Sequence, residues 1–279
     1  MPPIMPSSDR GRAALAASLA DIWARRGLLY RLIWREVLGR YRGSWLGLAW
    51  SFAAPLFLLA LYSFVFGVVF KARWPQQPTP EPVGFALALF AGLIVFGLVS
   101  DVLGRAPTLV TSQPNYVKKV VFPLELLPLA ALGAALFHAL ASFGVLLAAL
   151  ALSGRLVAGV WLLPVLLAPL LLCLAGLAWL LAALGVFVRD TAQAMGMVTT
   201  ALLFLSPVFY PLSALPEALQ PWLLLNPLTV PVEAVRAAVL WGEPVDWAML
   251  GGYSLAAIAI AAAGLAFFRR TRPGFADVL

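Results

Sequence analysis

Long uncharged runs separated by short basic stretches dominate the pattern of this chain. Residues 45–70 carry no Asp, Glu, Lys or Arg, about 26 positions where roughly 20 suffice to cross the hydrocarbon of a bilayer. Comparable runs recur at about 84–104, 126–152, 161–188, 192–205 and 248–268, so six membrane-spanning helices are predicted. The link 153–160 is short enough only for a tight turn. Residues 206–247 behave differently, with prolines at 207, 211, 216, 221, 227 and 231 and apolar pieces (219–225, 230–240) too short to cross. Broken backbone at membrane depth is tolerated where it is buried in protein or lines a watery cavity. This outer region is therefore expected to be re-entrant or interfacial, the alternative being an external cap packed on the bundle.

Ahead of the first span, residues 28–42 have a helical period. On a wheel of about 100° per residue, Arg31, Arg35 and Arg42 cluster, while Tyr30, Ile33, Trp34, Val37 and Tyr41 occupy the other side. With Arg40 this reads as an amphipathic helix lying in the membrane surface against lipid headgroups, rather than a cytosolic helix whose arginines are simply solvated. Gly43 and Ser44 bend the chain into the first span. The expected fold is an all-α integral membrane protein: a cytosolic N-terminal stretch and interfacial helix over 1–44, a six-span transmembrane domain over 45–268, and a cytosolic basic tail over 269–279.

Composition agrees, with 63% hydrophobic and 11% charged residues and a mean hydropathy of +0.96, against roughly 45–50% and 25% in soluble domains. A net charge of +7 would suit a nucleic-acid partner, but its distribution says otherwise. With the N-terminus inside, fifteen of the nineteen Lys and Arg residues fall in inside segments, leaving Lys71, Arg73, Arg155 and Arg236 outside. That is the positive-inside signature of a multi-pass protein of the cytoplasmic membrane with both termini cytosolic, and it removes the nucleic-acid reading. Residues 1–26 lack the apolar core of a cleavable signal peptide. The lone Cys173 precludes an intrachain disulfide.

Candidate chemistry is sparse. The chain has no GxxxxGK[ST] phosphate loop, no HExxH and no Cys/His cluster, so no cofactor or metal is expected in it. His138, the single histidine, lies mid-span; a bond to a neighbouring helix is expected there rather than a proton relay. Asp101 and Arg105, spaced i,i+4, are expected to pair with each other, and Glu233 and Arg236, spaced i,i+3, likewise. A membrane-embedded glycosyl or lipid transferase would need converging acid, base or metal-binding groups; the acidic residues here are dispersed. A secondary transporter would show inverted repeats and charges deep in its spans, and neither is evident.

Several stretches carry a family resemblance in order: Arg35, RYRGSWLGLAW (residues 40–50), Pro55 and FVFGVVFK (64–71), then NYVKKVVFPLELLPL (115–129), Arg189-Asp190, SPVFYP (206–211) and NPLTVPVEAVR (226–236). Together they resemble ABC exporter permeases of the polysaccharide-export class, which move O-antigen or teichoic acid. The resemblance implies a homodimer working with two copies of a separate ATP-binding subunit, which would hold the ATP and Mg, and a lipid-linked polysaccharide substrate. Related exporters of drugs or lipo-oligosaccharides share the architecture. It also implies that Tyr116, Lys118, Lys119 and Phe122 belong to a short coupling helix that docks on the ATP-binding subunit; simple topology anchoring by the two lysines is compatible with this. Aromatic rings offer flat faces on which sugars stack, and Trp50, Phe57, Phe204, Phe209 and Tyr210 are channel-lining candidates, set against the aromatic belts common to membrane proteins.

Overall fold

The computed structural model describes residues 23–71, 74, 82–118 and 122–279. Among these the chain is helical throughout its regular structure, with no strand. The first helix, α1 (Arg26–Arg40), is followed by a 3-10 turn at Gly47–Ala49, α2 (Trp50–Tyr62) and a π-helical stretch at Ser63–Val69. Next come α3 (Pro82–Arg105), the five-residue α4 (Pro114–Lys118) and α5 (Leu126–Leu152). A 3-10 turn at Ala158–Leu162 leads into α6 (Leu163–Phe187), and α7 spans Thr191–Leu205. The outer region contains α8 (Gln220–Leu224) and α9 (Thr229–Val235), the latter continuing as a π-helix over Arg236–Trp241. The last long helix is α10 (Trp247–Thr271), with a final turn α11 (Phe275–Val278).

Among the described residues, five helical stretches are long and apolar enough to cross a membrane: Gly47–Val69, Gly84–Thr108, Leu126–Leu152, Ala158–Phe187 and Trp247–Val278. The remaining expected span is α7, whose 15 residues rise about 22 Å at about 1.5 Å each, short of the roughly 30 Å of hydrocarbon. Its chain turns at Ser206 into the proline-rich segment, so the apolar path beyond it is made of short pieces rather than one helix.

The packing has a clear centre. Helices α3 and α6 supply most of the core, with Ala88, Leu89, Ala91, Val95, Leu166, Leu170, Ala178 and Ala182 at or near zero exposure. Helix α10 packs on α6 along a glycine seam: a Cβ on Gly264 would sit 2.0 Å from the Gly176 carbonyl oxygen, and one on Gly176 would sit 2.5 Å from that of Ile260. In hydrocarbon, where apolar side chains gain nothing by leaving lipid, such close backbone contact supplies the attraction. The turn that separates the outer region from α10 is built from local chemistry. Gly242 (φ +66°) ends the π-helix in a left-handed conformation, and Asp246 caps α10 by accepting from the Met249 amide at 2.9 Å.

By contrast α2 and the π-helical stretch after it are poorly covered, leaving Phe52, Leu56, Phe57 and Phe64 exposed, and α7 exposes Met197, Phe204 and Leu205. The stretch after α10 folds back, with Phe275 completely buried.

Candidate functional site

The arginine-rich end of the bundle is assembled around α1. This helix packs on α5, burying Leu32 and Val37 and leaning Leu29 and Ile33 on Leu126 and Ala130; a Cβ at Gly133 would meet the Ile33 side chain at 2.5 Å. Trp34 adds a ring contact with Phe137 at 5.7 Å. The protein-facing side is thus aliphatic as well as aromatic, and Tyr30 stays exposed.

Three polar links tie α1 to the end of α3 and the segment following it. Arg35 donates to the Tyr116 hydroxyl at 2.7 Å, Glu36 accepts from Arg105, and Arg40 donates to both carboxylate oxygens of Asp101 at 2.6 and 2.7 Å. The i,i+4 pairing of Asp101 with Arg105 predicted from spacing is therefore replaced. The end of α3 abuts α1, and each charge finds a better-placed opposite charge across that junction than along its own helix. Arg31 and Arg42 remain exposed at this end.

Tyr116 sits on α4, and its ring stacks on Phe122 with centroids 4.4 Å apart and planes 10° apart. Lys118 is exposed beside it, while Lys119 lies outside the described residues. The structure thus brings Arg35, Tyr116 and Phe122 into one cluster. Below it, Glu125, 5% exposed, stands just before α5. Its side chain does not cap that helix; it binds Arg272 at 2.8 Å and lies 3.7 Å from Arg269.

A cavity of about 350 Å³ opens between α2, α3 and α5, lined among others by Arg40, Trp50, Tyr62, Asp101 and His138. His138 is held there through a hydrogen bond between its Nδ1 and the Tyr41 hydroxyl (3.1 Å), so the expected tie to a neighbouring element is present. Trp50 faces this space at one edge of α2, whereas Phe57 lies on the exposed face. The other channel candidates gather at the far end of α7: Phe204 and Phe209 stack at 5.8 Å, and the Tyr210 hydroxyl donates to the Phe204 carbonyl at 3.1 Å.

Beside that aromatic group is a feature that side-chain spacing did not reveal. Arg236 is 1% exposed and donates to the carbonyls of Ala88 (2.9 Å), Val208 (2.6 Å) and Pro207. Its guanidinium lies over the Trp74 ring at 4.4 Å, and the expected partner Glu233 is 3.4 Å away. Burial raises the Glu233 carboxyl against the pull of Arg236 and lowers Arg236 to about 10. One arginine so joins α3, the turn after α7 and the outer helix. An arginine within an otherwise apolar stretch was the available signal; its carbonyl partners leave no mark in the sequence.

Comparison with known proteins places these features in context. A family model described as ABC-2 type transporter matches residues 27–240. An O-antigen export system permease protein RfbA from Myxococcus xanthus is 27% identical over 265 residues, covering 92% of this chain and 97% of that protein. A protein of the same name from Klebsiella pneumoniae is 23% identical over 251 residues, covering 88% and 92%.

Proposed function

The chain belongs to the ABC-2 type transporter family, and on that premise we propose that it is the channel-forming subunit of an ATP-driven exporter that carries a lipid-linked polysaccharide of the O-antigen kind across the cytoplasmic membrane. The observation that carries the reading is the arrangement at the arginine-rich end. A five-residue helix, α4, lies between two long apolar helices, exposes Lys118, and is stacked and hydrogen-bonded onto α1. Such a short helix is not stable alone; held in place by its neighbours, it suits a docking element for a separate ATP-binding subunit, since the chain has no phosphate loop of its own.

In this reading α1 lies in the cytosolic headgroup layer, both termini are cytosolic, and nucleotide and Mg belong to the partner. The exposed apolar faces of α2 and α7 face a second copy of the chain and, between the copies, the polymer. Phe57, Phe204, Phe209 and Tyr210 then offer ring faces on which sugar units stack and slide without a tight site. The names carried by the Myxococcus and Klebsiella relatives support polysaccharide as the cargo.

The test is export in cells. Deletion of this chain should leave lipid-linked polymer on the cytosolic leaflet, protected from an external lectin, with none at the surface. Normal surface polymer in the deletion strain would overturn the cargo assignment.

A further inference from the structure

The stretch after α10 makes contacts that a solvated basic tail has no use for. Phe275 is fully buried, with ring centroids 5.8 Å from Phe187 and 5.4 Å from Phe268. Three residues earlier, Arg272 uses both ends of its guanidinium: Nη1 donates to Glu125 at 2.8 Å and Nη2 to the Phe122 carbonyl at 3.2 Å. Glu125 is in turn held through its backbone carbonyl, which accepts from the Trp179 indole at 2.9 Å. Phe122 stacks on Tyr116, the residue of α4 that also accepts from Arg35.

A continuous set of contacts therefore runs from Phe275, anchored among α6 and α10, through Arg272 to Phe122 and on to α4. The planar fork of arginine matters here, because it bonds a carboxylate and a backbone carbonyl at once, which the single ammonium of lysine does less well. The five residues of α4 cannot fix their own angle, so whatever holds Phe122 also sets how α4 is presented.

We propose that Arg272 and Phe275 are positioning residues for the docking helix, so that the segment following the last span is a strut that sets the orientation in which α4 meets the ATP-binding subunit. This rests on reading α4 as the docking element. Arg272 acts on the helix through Phe122, which stacks on Tyr116, while Arg35 bonds the Tyr116 hydroxyl directly, and Glu125 holds the Arg272 side chain in place.

The experiment measures affinity of the ATP-binding subunit for the full-length permease reconstituted in lipid nanodiscs, per folded permease, alongside the thermal stability of the permease alone. The variants are Arg272→Ala, Arg272→Lys, Phe275→Ala and, as a probe of α4 itself, Lys118→Glu. The expected result is about tenfold weaker binding for Arg272→Ala, a smaller loss for Arg272→Lys, and weakened binding for Lys118→Glu. Phe275→Ala should weaken binding too; if it fails to fold, the Arg272 pair still decides. Arg272→Ala that lowers thermal stability yet binds as tightly as wild type, while Lys118→Glu binds weakly, would overturn the strut and leave the docking reading standing. Unchanged binding in Lys118→Glu and both Arg272 variants would overturn both.

Discussion

Arg236 is a cation enclosed by backbone rather than by carboxylates. Three carbonyls and an indole face surround it, and Glu233 is only partly enclosed beside it. Lysine has a point charge and cannot reach the carbonyl on α3 and the two in the turn after α7 as the guanidinium fork does. Arg236→Lys is therefore expected to cost about 3 kcal/mol, the scale for breaking a buried ionic site, read as a lowered melting temperature in detergent; a change below about 0.5 kcal/mol, typical of a surface substitution, would mean that the site is not needed for stability. The Glu233 pairing could be read from i,i+3 spacing, but the carbonyls of Ala88, Pro207 and Val208 could not, since any residue would supply them. The same limit explains Asp101 and Arg105. Local spacing sees only one helix, and the decisive neighbours, Glu36 and Arg40, come from a helix more than sixty residues earlier.

At the scale of elements, the glycine seam between α6 and α10 is the most constrained contact. The atoms facing Gly264 are backbone and have no rotamer to change. Gly264→Ala should force the helices apart and cost at least as much as a typical overpacked core position, about 1–3 kcal/mol, measured by thermal unfolding, whereas Gly97→Ala, with open space around it, should be near neutral. Helix α4, proposed as the docking element, gives a second prediction: changing Lys118 and Lys119 together to glutamate weakens association with the ATP-binding subunit, and an intact complex with normal transport in that mutant would contradict it. The long apolar helices were legible because hydrocarbon thickness imposes a length that no loop matches. Helix α7 was legible as an apolar run, and its end at Leu205 falls where that run stops; the backbone carbonyls just beyond it that Arg236 binds were not. The contacts of the stretch after α10 were hidden behind its charge: Arg272, like Arg269 and Arg270 in the last turn of α10, reads as topology, while the partner Glu125 is 147 residues from Arg272.

For the whole molecule, the uneven coverage of the helices is the main fact. Helices α3 and α6 are enclosed by their own chain, while α2 and α7 present aromatic and aliphatic side chains outward. In the proposed function, a second copy and a sliding polymer cover that face together. Alanine at Phe209 or Tyr210 should then slow export severalfold while leaving assembly intact, followed as surface polymer per unit time; unchanged export in both would remove them from the path. The proposed function makes this chain the membrane half of an ATP-driven exporter. The decisive measurement is to co-express the chain with its candidate ATP-binding subunit, purify through a tag on the permease, and assay ATP hydrolysis. A stable complex with orthovanadate-sensitive turnover is expected; a permease that purifies alone, with no ATP-binding subunit retained, would overturn the proposal.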